Sequence, residues 1–162
     1  MRRWDQLGIP HKGWRLVRVE DIKEGYENCV DFEYETCEMC QNERIRYVHI
    51  LSHPDYEGVL RVGCDCACRM TEDYDTPCEY ERRAKNRANR RRNFLKQEWS
   101  LNAKGNYVLR YKGDNITAIK RNGSFGFCCD GNWIWKYNEQ RIYDLDTLKL
   151  AAFEEFDKEE HY

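Results

Sequence analysis

Three observations predict an α+β chain. Two clusters of cysteine bracket a hairpin pattern, a long basic segment with helix-start signals follows, and beyond Asn106 the apolar period changes to two. The expected layout is a metal-binding module with N-terminal strands over 1–75, a basic linking helix over 76–100, and a β-sheet module over 101–162. The last is read as a small antiparallel sheet of three or four strands packed by one helix.

Residues 14–19 and 30–34 alternate as strands do, the second of them apolar on one side and acidic on the other. That second strand leads into Cys37 and Cys40. Ile45–Leu51 and Val59–Val62 then form a hairpin closed by His53-Pro54-Asp55 and Gly58, and the returning strand delivers Gly63 and Cys64. Thr76-Pro77-Cys78-Glu79 combines a cap, a proline at the first helical position and a glutamate three residues after the cap. The helix they open is expected to run from about 77 to about 99, with Tyr80, Ala84, Ala88, Leu95 and Trp99 on one stripe. Tyr107–Tyr111, Ile116–Arg121, Phe125–Asp130 and Trp133–Tyr137 read as short strands. Gly113-Asp114, Asn122-Gly123 and Gly131-Asn132 are their turns. Asp144 or Asp146 caps a final helix whose Leu148, Ala152, Phe153 and Phe156 cover one face of that sheet.

Nine cysteines occur in 162 residues, an odd number that cannot form a complete disulfide framework. The first residues, Met1-Arg2-Arg3-Trp4-Asp5, lack the apolar run of a signal peptide, and no stretch approaches the length of a membrane span. A cytoplasmic chain with reduced thiols is therefore expected, where clustered cysteines hold metal more often than disulfides. Cys37-x2-Cys40 presents two sulfurs from one turn, and the hairpin brings Cys64 and Cys66 back to complete a tetrahedron. The expected ligands of a structural Zn2+ are thus Cys37, Cys40, Cys64 and Cys66. Cys68 is the alternative fourth ligand, with His49 or His53 behind it. Cys29, Cys78, Cys128 and Cys129 are read as packing residues. Four protein ligands would leave no open position on the ion, so no metalloenzyme is expected.

Residues 37–70, a knuckle followed by a hairpin and a helix start, resemble a treble-clef zinc finger. The departure from that pattern is Cys64-x-Cys66-x-Cys68, where treble clefs commonly carry C-x2-C. More broadly, the C-E-M-C and V-G-C-x-C segments, the Arg/Asn-rich helix and Lys104-Gly105-Asn106-Tyr107 make the chain similar to small bacterial and phage zinc-finger proteins. That similarity implies no particular activity.

The net charge of −2 conceals strong segregation. Glu20, Asp21, Glu24, Glu27, Asp31, Glu33, Glu35 and Glu38 make the start acidic, and Glu154, Glu155, Asp157, Glu159 and Glu160 do the same for the tail. Between them, Arg82, Arg83, Lys85, Arg87, Arg90, Arg91, Arg92 and Lys96 form a basic block, with Asn86, Asn89 and Asn93 at helical spacing. These cations suit nucleic-acid phosphates, and asparagine can pair with adenine. The expected function is a zinc-stabilised nucleic-acid-binding accessory protein of phage or bacterial type, with Arg82, Arg83, Lys85, Arg87, Asn89, Arg90, Arg91, Arg92 and Lys96 at the contact. Tyr107, Tyr111, Phe125, Trp133, Trp135 and Tyr137 could add stacking, although roughly half of them must face the helix. The competing expectation is a protein-interaction adaptor or inhibitor that uses the acidic surfaces. Ser100, Ser124 and the four histidines form no nucleophile–base motif, and no phosphate-binding glycine loop occurs, so an enzyme is not expected.

Overall fold

A computed structural model describes residues 2–42 and 44–158. The chain divides into two compact units, residues up to Ala88 and residues from Asn89. Glu159 and Glu160 of the acidic tail lie outside the described residues.

In the first unit β1 (Arg15–Asp21), β2 (Tyr47–His53) and β3 (Tyr56–Val62) form an antiparallel sheet in that order. β2 is central, and its Val48, His49, Ile50 and Leu51 are all buried, as a strand covered on both faces requires. The β2–β3 turn falls at Pro54-Asp55, where His53 Nδ1 accepts from the Asp55 amide at 3.0 Å. The chain leaves β3 directly into α1 (Cys64–Thr71), which opens at Gly63 and ends on Glu72 in the left-handed conformation. Trp14, Met39, Ile45, Leu60, Val62 and Met70 fill the core between sheet, helix and the 37–40 loop.

The strand expected over 30–34 is absent, and Val30 is 96% exposed. Only Glu35 bridges to Ile45. An alternating segment becomes a strand where a sheet edge and an apolar surface receive it. Here Phe32 and Tyr34 pack edge to face on each other beneath Lys23 instead.

Helix α2 spans Thr76–Leu95, beginning where the capping signals place it and ending a turn earlier than expected. The cap differs in detail. The Asp73 carboxylate accepts from the Thr76 amide at 2.9 Å, and Glu79 pairs with Arg82 and Arg83 rather than folding back on the cap. Guanidinium groups one turn along outcompete a single backbone amide for that carboxylate.

The second unit is a five-stranded meander of β4 (Ser100–Leu101), β5 (Tyr107–Tyr111), β6 (Asp114–Arg121), β7 (Ser124–Cys129) and β8 (Asn132–Ile134). β9 (Lys136–Tyr137) and β10 (Gln140–Arg141) pair separately, and α3 (Leu145–Phe156) follows. The sheet thus has more strands than expected, because the short Ser100–Leu101 segment adds an edge. Asn122-Gly123 has positive φ at both residues, as a two-residue turn between right-twisted strands demands. The other two hairpins do the same one residue earlier than expected, at Lys112-Gly113 and Asp130-Gly131. Asp144 caps α3, its carboxylate accepting from the Thr147 amide at 2.7 Å. Phe94, Phe127, Phe153, Ile116, Ile142 and Leu148 are the buried centre of this unit.

Phe94 contacts the rings of Tyr111, Phe153 and Phe156 at centroid distances of 5.4 to 5.6 Å. Phe94→Ala is therefore expected to destabilise the second unit by about 3–5 kcal/mol. Urea denaturation followed by near-ultraviolet circular dichroism measures this, and a change below about 1 kcal/mol would contradict the packing described.

Candidate metal centre and basic helix

The loop from Cys37 to Asn42 folds tightly on itself. The Cys37 amide donates to the Asn42 carbonyl at 2.7 Å, the Gln41 amide donates to the Cys37 carbonyl at 2.9 Å, and Gln41 adopts a positive φ of 68°. Cys37 and Cys40 thereby face the same side, toward the start of α1. There the helix presents Cys66, and the sulfurs of Cys37, Cys40 and Cys66 lie within 4.8 Å of one another. Cys37 and Cys66 are buried. The Gly63 amide donates to Cys37 Sγ at 3.4 Å, as backbone amides do toward thiolates.

The expected quartet is divided. Cys64 groups not with Cys37, Cys40 and Cys66 but with Cys68 and Cys78, again with all three sulfurs within 4.8 Å. Helix periodicity is the cause. α1 starts at Cys64, so Cys64 and Cys68 are one turn apart on one face, while Cys66, two residues on, points the opposite way. Gly63 does not make the sharp turn that would bring Cys64 and Cys66 to one ion. Its φ of −79° and ψ of 171° are ordinary extended values, and its lack of a side chain matches the approach of Ile45, 3.3 Å from where a Cβ would stand. Both cysteine groups are positioned to bind a metal ion, and all nine cysteines are free of disulfides.

Cys78, expected among the packing residues, is instead exposed in the first turn of α2 and completes the second group. The proline beside it is a usable signal, since Pro77 fixes where α2 begins and hence where Cys78 points. Cys129 does pack in the second core, whereas Cys29 is exposed. Neither histidine joins the first group. His53 spends both ring nitrogens on backbone, accepting from Asp55 and donating to the Lys12 carbonyl at 3.0 Å. His49 lies near Cys64 and Glu81.

The electrostatics of the two groups differ. The Cys37 thiol is brought down to about 5, chiefly by its hydrogen bond with Cys66, with burial opposing and backbone amides of Cys40, Gly63 and Met39 assisting. Cys66 is correspondingly pushed up, first by Cys37 and then by burial. In the second group burial and then the neighbouring Cys78 raise Cys64, and the same causes push Cys68 up to about 11.

The basic block separates into two sets. Arg87 Nη1 lies 2.8 Å from Glu24, Arg90 reaches Asp157 with two hydrogen bonds of 2.8 and 3.2 Å, and Arg91 is only 6% exposed. These three point into the fold. Arg82, Arg83, Lys85, Asn89, Arg92 and Lys96 are exposed, as are Asn86 and Asn93. Arg82 and Arg83 share Glu79, Arg92 bonds to Asn89, and Lys85 lies over the Tyr47 ring at 5.5 Å.

In the second unit Phe125 and Phe127 are buried, Tyr107, Tyr111 and Tyr137 pack half-buried against the same core, and Trp133 is 47% exposed. Trp133 stacks on Trp135 at 5.9 Å, and the Arg121 guanidinium covers Trp135 at 5.7 Å. The Trp135 ring lies over Gly126, where a Cβ would come within 2.4 Å of it, so glycine is the residue that admits the ring. Arg121, Trp135, Lys136 and Arg141 line a groove of about 330 Å3.

No helix among the described residues is long and apolar enough to cross a membrane. Comparison with protein-family profiles, curated proteins and solved structures finds no match.

The Cys37–Cys66 pair generates a pH prediction. In the metal-free protein the folded pair keeps one proton above about pH 5, where the unfolded chain keeps two until the ordinary thiol range. The depressed Cys37 therefore contributes stability that is fully present above the unfolded thiol pKa and lost as pH falls toward 5. Thiolate absorbance of chelator-treated protein should show one thiolate titrating near that value, and Cys66→Ala should move it upward. A first thiolate appearing only above about pH 8, near the unperturbed range, would show that the pair does not form.

Proposed function

We propose that this chain is a zinc-stabilised nucleic-acid-binding accessory protein that contacts phosphates along the exposed face of α2. The observation that carries the reading is the outward set itself. Arg82, Lys85, Arg92 and Lys96, with Arg83 beside them, recur at helical intervals with Asn86, Asn89 and Asn93 between them, all exposed. Such a stripe offers point charges to a phosphate backbone and amide groups to base edges. Arg87, Arg90 and Arg91 are not part of it, since they serve the fold. The groove lined by Arg121, Lys136 and Arg141 supports the same reading from the second unit, because its cations suit a phosphate, whereas the faces of Trp135 are already taken by Gly126 and Arg121.

Zinc is the metal of this proposal. Thiolate donors are soft, and tetrahedral sulfur sites select zinc among common cellular divalent ions. The order of the Cys37–Cys40 knuckle, the β2–β3 hairpin and a helix carrying Cys66 supports a treble-clef reading of the first unit. Cys37, Cys40 and Cys66 supply three donors, so a structural role for the ion requires a fourth donor to close the site.

The adaptor reading draws less support. Glu20 and Glu35 face Arg61, Asp21 receives two hydrogen bonds from Arg46, Glu24 faces Arg87, and Asp157 faces Arg90. Carboxylates already matched to guanidinium groups present little net field to a cationic partner.

Titration of duplex and single-stranded oligonucleotides at two salt concentrations tests the proposal. Each phosphate neutralised contributes a slope of about −0.9 on duplex or about −0.7 on single strands in log K against log salt. Arg82→Ala combined with Arg92→Ala and Lys96→Ala should flatten that slope by about one unit for every phosphate left without its cation. Arg90→Ala, by contrast, should lower stability and leave the slope unchanged. Binding absent even at low salt, or a triple variant that binds like the parent, would overturn the reading.

A further inference from the structure

We infer that the chain holds a second metal ion, bound by Cys64, Cys68, Cys78 and the imidazole of His49. The Cys64 and Cys78 sulfurs are 3.6 Å apart and those of Cys68 and Cys78 3.8 Å apart. A tetrahedral ion with metal–sulfur bonds of about 2.3 Å holds its sulfurs about 3.8 Å from one another. A disulfide would need about 2.05 Å, so the spacing matches an ion and not a covalent bridge.

His49 supplies an independent indication. It is fully buried at the centre of β2, and a ring nitrogen lies within 4.8 Å of both Cys64 Sγ and a Glu81 oxygen. Nε2 sits 3.1 Å from the Pro77 carbonyl, which can only accept, so this nitrogen carries the proton. Nδ1 is then the lone-pair nitrogen, sealed from solvent and without a hydrogen-bond partner among the described residues. Leaving a buried acceptor unsatisfied is costly, and a cation beside it removes that cost. An imidazole that donates through one nitrogen to a carbonyl and turns the other to the ion is the usual arrangement around metal-bound histidine. Glu81 is the weaker fourth donor, since it is half-exposed and water can solvate it.

Cys64 belongs to both groupings, with Cys68 and Cys78 in one and His49 and Glu81 in the other. His49 is within 4.8 Å of Cys64 but is not grouped with Cys68 and Cys78, so binding has to draw its ring and those two sulfurs closer around one ion. The donors come from β2, α1 and the first turn of α2. The ion therefore ties the start of the basic helix to the sheet of the first unit. Cys37, Cys40 and Cys66 remain a separate site.

Metal content is read without any nucleic acid, so its outcome is independent of the proposal above. Zinc-loaded full-length protein should carry about two equivalents per chain. Cys78→Ser, an exposed position expected to fold, should reduce this to about one. X-ray absorption of the parent should show nitrogen together with sulfur around zinc, and His49→Gln, which keeps a donor toward Pro77, should remove the nitrogen contribution. A metal count in Cys78→Ser equal to that of the parent would overturn the second site, whatever the parent's total. An unchanged absorption spectrum in a folded His49→Gln would overturn the assignment of His49.

Discussion

Helix α1 begins at the residue after Gly63, and the way its three cysteines divide between the two clusters of the first unit depends on that start. A helix advances about 100° per residue, so alternate cysteines on it cannot serve one ion. Cys66 turns toward the Cys37–Cys40 loop, while Cys64 and Cys68 turn toward Cys78. A start two residues later would have left Cys64 in extended chain and made a single site possible. The β3 strand fixes the register, because Leu60 and Val62 must face the core and Gly63 must pass beside Ile45.

The same unit shows why a small module gains from such sites. Its core is built from one three-stranded sheet and an eight-residue helix, and two of its buried residues are cysteines of the first cluster. Small domains bury too little apolar surface to be secure on packing alone, and an ion that binds only the folded arrangement adds its binding energy to folding. The second unit contains none of the clustered cysteines. It relies on a meander held by tight turns and on aromatic packing around Phe94.

Charge segregation along the chain is resolved by folding into pairs and a remainder. Acidic residues of the first unit meet Arg46, Arg61 and Arg87, and Asp157 meets Arg90. Half-buried pairs of this kind fix geometry, whereas Arg82, Arg83, Lys85, Arg92 and Lys96 stay exposed, with Glu79 shared by the first two. The basic block in sequence therefore overstates the charge that α2 presents.

The α+β class, the β2–β3 hairpin, the start of α2, the Asn122-Gly123 turn and the cap of α3 are all legible in the order of residues. Each rests on a local rule, such as a proline's fixed φ, an asparagine's tolerance of the left-handed region, or a carboxylate's reach to a free amide. The return of the hairpin to the Cys37–Cys40 knuckle is legible in the same way, although the order of residues assigns Cys64 together with Cys66 to that knuckle. Packing in three dimensions was needed to separate Cys64 from that set, to bring Cys78 to Cys64 and Cys68, and to turn Arg87, Arg90 and Arg91 inward. Those outcomes depend on which side of a helix faces which neighbour, and residues far apart in the chain settle that, as do Pro77 beside His49 and Asp157 beside Arg90. The strand expected over 30–34 fails for the same reason, because alternation supplies a face but not the surface that would cover it.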